Sequence, residues 1–600
     1  MTFHLRLSLS PRMPSPPLSP AMLRRRTLSP VIRCQRTLSP DVPSAPTLRR
    51  TANFQPTMFD DAYIQSLSTV AFKDEEKALL RREKLKDEVR CMILEEKGLL
   101  DQLELLDSIQ QLGVAYHFEK DINCVLSRMH LRFKTLCDHD KLGDDMHATS
   151  LIFRLLRQNG FGVSQDLLVQ GFKDEHGCFK SHAFADIKGV LSLYEATFLA
   201  EDGDDDELVK GRRRAEKHLR EWSRLCSLNN EEDHILLAEL VDRALELPLH
   251  WRTARLHSLW LIDAYGRKDG MDPKLLELAK LDFNMVQSVY KLELKEVSRW
   301  WKKLGLADGG ELIKFARNWP VESYLWTVGL ASEPNFSRCR KELAKTVCFV
   351  HVIDDIYDIY GSLDELELFT DAVHRWEMAA VDELPEYMKP CFIALFNTVN
   401  ELAFATFKNK GLDILPCLKR AWSDICKAFL VEARWCNSGC IPTLEEYLDN
   451  AWISVAAPLT LVYSQCLSEN LIMKSLENFY FYPSMARHSS TIFRLHDDLG
   501  TSKAEIQRGD VAKSIQCYMK EKGVVERVAC EKMKDLIHEK WKLLNGEHAA
   551  NSQFEETFRR VVMNLPRMAQ FMYHNGDGNG KPNHRMKGLI MSLLIEPIPL

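Results

Sequence analysis

Three carboxylates stand where an apolar segment ends. The stretch VIDDIYDIYG, residues 352–361, carries Asp354, Asp355 and Asp358 directly after apolar residues that are typical of a buried helix. An unpaired carboxylate in a protein interior is costly, so such groups are usually paired, protonated or bound to a metal. No Lys or Arg lies close by in the sequence. The stretch therefore predicts a positive partner that comes from outside the local chain.

The spacing of these carboxylates favours a helix over a strand. On a helix, Asp354 and Asp358 share one face with their Cβ atoms about 5–6 Å apart, whereas on a strand they would be about 13 Å apart. Only the helical arrangement lets both side chains bind one compact metal cluster. Magnesium suits such a cluster, because it prefers carboxylate oxygens, retains several waters and leaves positions for phosphate oxygens.

A second oxygen-rich cluster lies in RLHDDLGTSKAEIQRGD, residues 494–510, where Asp497, Thr501 and Glu505 follow at intervals of four. A helix rises about 12 Å over eight residues, but side chains lean towards the helix N-terminus, so the long Glu can bend back. Carboxylates with a hydroxyl favour Mg²⁺ or Mn²⁺ over zinc. Either cluster alone could be a solvated acidic face or a helix cap. The presence of both favours a divided metal site.

Helices must position both clusters. Residues 74–96 and 525–544 repeat apolar positions at intervals of three and four with charges between them, the pattern of amphipathic helices. Alternating strand patterns are hard to find, so an all-α protein is predicted. A loop with Gly, Asp and Pro at residues 264–273 divides the pattern into two halves. The second half holds both clusters.

Composition excludes several classes of protein. A formal net charge of -6 argues against a general nucleic-acid binder, which is usually basic. No apolar run reaches the roughly 18 residues of a membrane span. The 16 cysteines contain no CxxC pair, which favours reduced thiols over a disulfide framework or a zinc site.

Residues 1–48 differ from the rest of the chain. They are rich in Arg, Ser, Thr and Pro, their one acidic residue is Asp41, and the letters LSP occur four times. This composition is typical of an organelle transit peptide, above all a plastid one; a disordered basic tail is the alternative. The chloroplast stroma is therefore the expected location.

These motifs together resemble the plant terpene synthases, most closely the angiosperm monoterpene synthases, from residue 49 to residue 600. IDDIYDIYG is similar to the aspartate-rich motif of that family and HDDLGTSKAEIQRGD to its second metal motif. FQPTMFDDAYIQSL, ELPLHWRTARL and ELAKLDFNMVQSVYKLELKEVSRWW match further stretches. The resemblance implies an N-terminal α-barrel-like helical domain over residues 49–268 and a C-terminal catalytic α-bundle of the class I terpenoid synthase type over residues 269–600.

The resemblance also implies roles for individual residues. Three Mg²⁺ or Mn²⁺ ions would be held by Asp354, Asp358, Asp497, Thr501 and Glu505, and Asp355 would support these ligands. Substrate diphosphate would be bound, directly or through metal, by Arg317, Arg494, Lys513, Asp354, Asp358 and Asp497. A carbocation would lie against Trp326 and Tyr573, since aromatic ring faces attract cations. An N-terminal lid would include Arg49, Arg50 and Phe59.

Three features depart from the family pattern. The RxR motif reads RNW at residues 317–319, so Trp319 replaces its second arginine. Phe59 stands where the tandem-arginine motif has Trp, and Ala457 stands before Pro458 where many relatives have Gly at a helix break. These changes leave the restraint of diphosphate and the choice between cyclic and acyclic product open.

The function implied is that of a monomeric monoterpene synthase, a lyase that ionises geranyl diphosphate and releases diphosphate. Its C10 product could be an acyclic alcohol such as linalool or a cyclic compound such as limonene or terpineol. A sesquiterpene synthase acting on farnesyl diphosphate is the alternative, although the leader and Arg49–Arg50 favour the C10 substrate. An enzyme of prenyl chain elongation would be expected to carry a second DDxxD motif. A non-catalytic helical scaffold would have no reason to retain both metal motifs.

Overall fold

A computed structural model describes Arg49 and residues 54–600, apart from residues 71, 73, 96–97, 138–144, 171–183, 205, 230–234, 307–311, 313–314, 480, 551–553, 575 and 577–583. Within these residues the regular structure is helical and no strand occurs, which confirms the predicted all-α class. The predictions for residues 1–48 and for Arg50 lie outside the described residues.

Twenty-four α-helices are found in the described part of the chain. They are α1 (Asp61–Ser66), α2 (Glu75–Leu94), α3 (Leu99–Gln111), α4 (Glu119–Cys137), α5 (Met146–Gln158), α6 (Asp166–Gln170), α7 (Ile187–Ala196), α8 (Asp206–Asn229), α9 (Ile235–Glu246), α10 (Ala254–Gly266), α11 (Pro273–Leu304), α12 (Pro320–Leu330), α13 (Ser337–Asp355), α14 (Leu363–Arg375), α15 (Lys389–Lys410), α16 (Leu415–Ser438), α17 (Leu444–Ser454), α18 (Ala457–Cys466), α19 (Met473–Asn478), α20 (Ser484–Arg508), α21 (Ser514–Lys522), α22 (Glu526–Ala550), α23 (Glu556–Tyr573) and α24 (His584–Ile590).

The long helix α11 links the two halves of the sequence. Asp272 caps its first turn by accepting the backbone N–H groups of Lys274 and Leu275, and Pro273 occupies the first turn, where no intrahelical N–H bond is lost. Gly305 ends the helix in the left-handed conformation, at φ 71°. Helix α11 packs against α2 on one side and against α12 and α13 on the other. The predicted domain boundary at residues 268/269 lies between α10 and α11 and stays a prediction.

Helix α12 is buried on all sides. Every residue from Pro320 to Leu330 is buried, including the polar Glu322, Ser323 and Thr327. It packs against α11, α13 and α23. A rigid central helix of this kind fixes the position of α13, whose C-terminal end carries the first acidic motif.

One described helix, α15, is long and apolar enough by length and composition to cross a membrane. It is partly buried inside the protein. A single such helix is weak evidence for a membrane span, because core helices of packed proteins have the same length and composition.

Candidate active site

Both acidic motifs line one cavity of about 140 Å³. We define the first wall as Asp354, Asp355 and Asp358, at the end of α13, and the second wall as Asp497, Thr501 and Glu505, on α20. The remaining lining comes from α12, α16, the break between α17 and α18, α23 and the N-terminal segment. Two groups of oxygen ligands that are far apart in the sequence therefore share one space.

The backbone of the first wall is not a regular α-helix. Helix α13 ends at Asp355 and continues as one π-helical turn over Ile356–Tyr360. The turn is closed by the N–H of Gly361, which donates to the carbonyl oxygen of Ile356 at 2.8 Å. A Cβ atom on Gly361 would lie 2.9 Å from that same oxygen, so the close approach requires glycine. Single π-turns are frequent at functional sites, and this one was not predicted.

Arg317 is the positive partner of the first wall. Its Nε donates to Asp355 at 3.0 Å and its Nη2 to Asp354 at 2.5 Å, while its backbone N–H donates to Asp355 at 2.6 Å. Burial opposes the charge of Arg317, but the carboxylates of Asp355 and Asp354 outweigh it and raise the pKa of the guanidinium. Asp355 is 1% exposed. It anchors Arg317 and lines the cavity together with Asp354 and Asp358.

The second wall lies on a regular helix and has its own cations. Arg494, one turn earlier on α20, pairs with Asp497. Lys513 places its Nζ 3.4 Å from Glu505. Burial opposes the charge of Lys513, but Glu505 outweighs it and raises the pKa of the ammonium group. The hydroxyl of Thr501 donates to the carbonyl oxygen of Asp497 at 2.9 Å.

A buried carboxylate next to this wall anchors the helix. Asp498 is fully buried, accepts the hydroxyl of Tyr447 at 2.9 Å and the backbone N–H of Ser514 at 3.1 Å, and pairs with Arg494 at 2.8 Å. It therefore ties α20 to α17 and α21. The sequence prediction missed this role, because nothing in the spacing of HDDLG distinguishes a ligand from an anchor.

The donor set fits a hard divalent cation. The cavity offers only oxygen ligands from the two walls, which Mg²⁺ and Mn²⁺ prefer. Burial, together with the nearby charge of Asp354, raises the pKa of Asp358 well above its usual value, and a bound cation would relieve that crowding. No three His, Cys, Asp or Glu side chains of the described residues already form a metal cluster. Arg317, Arg494 and Lys513 hold acidic side chains of both walls instead.

Two family models match the chain. The terpene synthase N-terminal domain matches residues 58–245, and the metal binding domain of the terpene synthase family matches residues 303–543. A chloroplastic monoterpene synthase of Hedychium coronarium is 47% identical over 557 residues, covering 92% of this chain and 93% of the relative. The chain belongs to the terpene synthase family. The predicted relation to monoterpene synthases and the predicted class of enzyme, a lyase, are confirmed.

Solved structures agree with this assignment. A limonene synthase with 2-fluorolinalyl diphosphate superposes with a TM-score of 0.86 at 37% identity, covering 92% of this chain and 100% of that one. Isoprene synthase from grey poplar, in complex with three Mg²⁺ ions and dimethylallyl-S-thiolodiphosphate, gives a TM-score of 0.81 at 44% identity, covering 90% and 99%. A chloroplastic myrcene synthase of Quercus ilex is 45% identical, covering 92% of this chain and 90% of the relative.

Aromatic rings form the apolar end of the terpene synthase cavity. Trp326 stacks on Phe493 with ring centroids 5.2 Å apart. Tyr573 lies 6.2 Å from Trp326 and 6.3 Å from Phe493. Phe493 was missed from the sequence, although it precedes Asp497 by one helical turn and shares its face.

The helix break beside the cavity differs in detail from the prediction. Helix α17 ends at Ser454 and α18 begins at Ala457. Ala456, not Ala457, adopts the left-handed conformation, at φ 63°, and it lines the cavity. This conformation costs an alanine about 1 kcal/mol relative to glycine. Pro458 lies in the first turn of α18, where it begins the helix without breaking one.

The N-terminal segment closes one side of the first wall. Arg49 donates to both carboxylate oxygens of Glu365, at 2.7 and 2.9 Å, and to the carbonyl oxygen of Tyr360 at 3.0 Å. Its guanidinium lies 4.5 Å from the centre of the Tyr360 ring. Tyr360 ends the π-turn that carries Asp358. Arg49 therefore attaches the N-terminal segment directly to the first acidic motif.

The aromatic residue of this segment that reaches the cavity is Phe54. It lines the cavity and lies 5.0 Å from the guanidinium of Arg317. Trp319 contacts the Phe54 ring edge-on at 5.8 Å and donates its Nε1–H to the carbonyl oxygen of Gln55 at 3.1 Å. Phe59 is buried in the core and is not among the described residues that line the cavity. Trp319, which replaces the second arginine of the RxR motif, thus holds the N-terminal segment in place.

Other lining residues lie outside the two acidic motifs, and no motif could have identified them. His351, Phe429 and Glu432 are examples. Burial and the charge of Arg317 lower the pKa of His351 well below its usual value, so its imidazole is neutral. Phe429 and Glu432 lie on α16, a helix whose sequence shows only ordinary amphipathic spacing.

Proposed function

We propose that this terpene synthase is a monoterpene synthase that ionises geranyl diphosphate, converts the carbocation to a C10 product and releases diphosphate. The observation that carries the proposal is one cavity in which two walls of oxygen ligands, each with a buried cation, meet a stacked aromatic end. The charged part suits a diphosphate and its metal ions, and the aromatic part suits a prenyl chain.

The residues that would hold Mg²⁺ or Mn²⁺ are divided between the walls. Asp354 and Asp358 would hold two ions and the second wall a third, with Asp355 fixing Arg317 beside them. When bound, the ions supply charge stabilisation to the diphosphate leaving group. The solved isoprene synthase complex with three Mg²⁺ ions supports this number.

The chain's own cations bind the diphosphate oxygens. Arg494 and Lys513 are buried at the charged end, and the Arg317 side chain there is 9% exposed. Neighbouring carboxylates raise the pKa of each one, so that all three stay protonated against the opposing effect of burial. Arginine donates two parallel hydrogen bonds to phosphate oxygens. Preorganised charge of this kind stabilises the negative charge that develops as the C–O bond breaks.

The aromatic end receives the cation. Trp326, Phe493 and Tyr573 present ring faces and edges close to one another, and a desolvated cation over a ring face gains about 2 kcal/mol. Their bulk also excludes water from the intermediate. Loss of a proton, capture of water and cyclisation compete there, and a difference of about 1.4 kcal/mol between barriers changes a product ratio tenfold.

A shorter substrate is the second candidate. The isoprene synthase of Populus alba is 45% identical to this chain, and the grey poplar complex contains a dimethylallyl analogue. The stacked pair Trp326 and Phe493 reduces the space for the prenyl tail, which favours a chain shorter than farnesyl. Farnesyl diphosphate (C15) is therefore the less favoured alternative. Dimethylallyl diphosphate (C5) is a substrate to test beside geranyl diphosphate (C10).

The location proposed is the plastid stroma, and the proposed assembly is a monomer. Residues 1–48 have the composition of a transit peptide, and the relatives from Hedychium coronarium and Quercus ilex are named chloroplastic. Import of a fluorescent fusion of residues 1–60 into isolated chloroplasts, with cleavage of the leader, tests the location. Light scattering of the mature chain tests the assembly.

The deciding experiment uses protein that begins at Arg49, with Mg²⁺ and with dimethylallyl, geranyl and farnesyl diphosphates in separate vials. Volatiles are identified by chiral gas chromatography and mass spectrometry, and a matched series contains EDTA. We expect a C10 product that disappears with EDTA. Isoprene alone would move the assignment to the C5 reaction and a C15 product alone to a sesquiterpene synthase. A folded protein that gives no product in any vial would favour a non-catalytic helical scaffold.

The variant Phe493→Leu sharpens the assignment of chain length. Removing the ring that stacks on Trp326 enlarges the apolar end, so we expect kcat/KM for farnesyl relative to geranyl diphosphate to rise about tenfold, the discrimination typical of a few apolar groups. Phe404→Leu, an exposed phenylalanine on α15, is the control and should leave the ratio unchanged. An unchanged ratio in Phe493→Leu would remove that residue from the apolar end.

A further inference from the structure

A second cavity, of about 330 Å³, lies on the other side of the end of α23. Its lining comes from α9, α10, α23, α24 and the connection between α9 and α10. The proposed reaction uses none of its residues. The lining combines three arginines and one carboxylate with a mainly apolar surface: Arg243, Arg252, Arg585, Glu246, Trp260 and Leu256 are representative.

Arg252 lines this cavity with an almost fully buried side chain. Its side chain is 8% exposed. Nε donates to the carbonyl oxygen of Leu247 at 2.7 Å, and Nη1 lies 3.4 Å from Nδ1 of His257. Nη2 has no hydrogen-bond partner among the described residues, although Glu195 lies 3.6 Å away as an ion pair. Arg252 therefore keeps one donor without a hydrogen bond among the described residues, and Glu195 offsets part of its charge.

Arg243 supplies a second donor. Its guanidinium lies 4.1 Å from the centre of the Trp260 ring, which holds it at the cavity wall. Its buried Nε also has no hydrogen-bond partner among the described residues. Burial, together with the charge of Arg252, lowers the pKa of Arg243 to about 10. Two positive side chains that face one desolvated space repel each other, and an anion between them would relieve that repulsion.

The rest of the lining selects for an apolar tail. Leu247, Leu256, Leu259, Phe571 and Leu589 surround the arginines. Inorganic anions would leave this surface exposed to water, whereas a hydrocarbon tail would bury it. Planar guanidinium groups match both carboxylate and phosphate heads.

We propose that this cavity binds an amphiphilic anion, with a carboxylate or phosphate head held by Arg243 and Arg252 and an apolar tail against Trp260, Leu256 and Phe571. The site is separate from the first cavity but shares a wall with it. Phe571 and Met572 line the second cavity, and the next residue, Tyr573, lines the first. A ligand in the second cavity therefore packs against the end of α23 that also bounds the proposed active site.

Isothermal titration calorimetry on the chain from Arg49, in EDTA, tests the proposal. EDTA keeps metal-dependent diphosphate binding out of the first cavity, so the result does not depend on turnover. The probes are decanoate, geranyl monophosphate and inorganic phosphate. We expect one or both tailed probes to bind one to one, and inorganic phosphate to bind at least about tenfold more weakly. Binding of decanoate alone would indicate that the ligand has a carboxylate head. Binding of geranyl monophosphate alone would indicate a phosphate head.

Two variants and a control locate the binding. Arg243→Met removes one charged donor and should weaken the tailed probes at least about tenfold. Leu256→Trp fills the cavity and should do the same. Arg220→Met, an exposed arginine on α8 that pairs with Glu216, should bind like the wild type. Thermal unfolding of each variant checks that it is folded.

Three outcomes would overturn the proposal. They are unchanged affinity in both Arg243→Met and Leu256→Trp, equal affinity for inorganic phosphate and the tailed probes, and no binding of any probe at millimolar concentration. Binding that is lost in Lys513→Met but kept in Arg243→Met would show that the probe binds in the first cavity. That result would also contradict the proposal.

Discussion

The two walls of the first cavity present similar oxygen ligands on different backbones. The second wall is a regular helix, and its cation Arg494 lies one turn before Asp497 on the same helix. The first wall includes a π-turn after α13, and its cation Arg317 lies 37 residues earlier in the chain than Asp354. The second wall is therefore specified largely by local spacing, whereas the first depends on how α12, α13 and the N-terminal segment pack.

This difference predicts how each wall responds to change. A helix with ligands at intervals of four keeps its geometry when one ligand is removed. A π-turn is less stable than an α-turn and persists only where its surroundings fix it. Arg317, Arg49 and Gly361 all contact the first wall or its continuation. We therefore expect variants of the first wall to have larger effects than matched variants of the second.

The largest effect is expected for Asp354→Ala. The change removes a proposed metal ligand and releases Nη2 of Arg317, so kcat/KM for geranyl diphosphate should fall about 10³-fold. The helix content should not change, because the side chain is partly exposed to the cavity. Asp364→Asn, an exposed residue of α14, is the control and should keep full activity. Steady-state kinetics and circular dichroism measure both, and wild-type turnover at limiting Mg²⁺ would refute the metal assignment.

The second wall should tolerate the loss of one ligand better. Glu505→Gln keeps the shape of the side chain but removes its charge, so activity should fall about 10²-fold. Raising the Mg²⁺ concentration should restore part of it, because Asp497 and Thr501 remain in place. Glu531→Gln, an exposed residue of α22, is the control. A loss as large as that of Asp354→Ala, without rescue by Mg²⁺, would show that the two walls are equivalent.

The cations offer a smaller test of the same difference. Arg317→Lys keeps a positive charge but loses the planar fork, whose Nε donates to Asp355 and whose Nη2 donates to Asp354. We expect kcat to fall about tenfold, with little change in KM for Mg²⁺. Lys513→Arg also keeps its charge, and the ion pair to be reproduced among the described residues is the one with Glu505, so its loss should be smaller. Kinetics on both variants in parallel check the order, and the reverse order would contradict a first wall that depends on bidentate geometry.

The same contrast explains what the sequence could predict. The intervals of four in Asp354 and Asp358, and in Asp497, Thr501 and Glu505, are helical periods that need no tertiary information. The all-α class follows from the same periodicity. Arg317 could be named only through resemblance to a family, because its pairing with Asp355 connects residues far apart in the chain.

Other features depend on packing that no local pattern encodes. The π-turn at Ile356–Tyr360 arises where α13 meets Gly361 and the N-terminal segment. The break before α18 was predicted at Ala457, but the left-handed residue is Ala456, since a one-residue shift in a helix end leaves the apolar pattern unchanged. Phe54 reaches the cavity because Trp319 holds its segment. Phe493 is the exception, since its spacing from Asp497 could have identified it.

The smallest expected effect concerns a buried acid on α12, the helix that packs against α13. Glu322 on α12 is 5% exposed and has no ion pair within the described residues, whereas Glu505 of the second wall is matched by Lys513. Burial raises the pKa of Glu322 to about 7, against smaller opposing effects of its own backbone and the hydroxyl of Thr57. The carboxylates of the second wall thus have cations nearby, whereas the buried Glu322 has none among the described residues.

This carboxyl makes folding less favourable as the pH rises. Below about pH 4.5 it is protonated in both the folded and the unfolded chain. Between about pH 4.5 and 7 the unfolded chain releases the proton while the folded chain keeps it, so the free energy of unfolding decreases with rising pH. Glu322→Gln removes this term and should stabilise the protein by about 2 kcal/mol at pH 8 and by much less at pH 5. Activity should be unchanged, because Glu322 does not line the cavity among the described residues.

Urea unfolding at pH 5 and pH 8 measures the effect, with Glu386→Gln as the control, a glutamate whose side chain is 89% exposed. The control should change the free energy of unfolding by less than about 0.5 kcal/mol at either pH. Equal stability of Glu322→Gln and the wild type at pH 8 would mean that the carboxyl is compensated in the folded chain. The difference between the two walls would then lie in their backbones and in the origin of their cations alone.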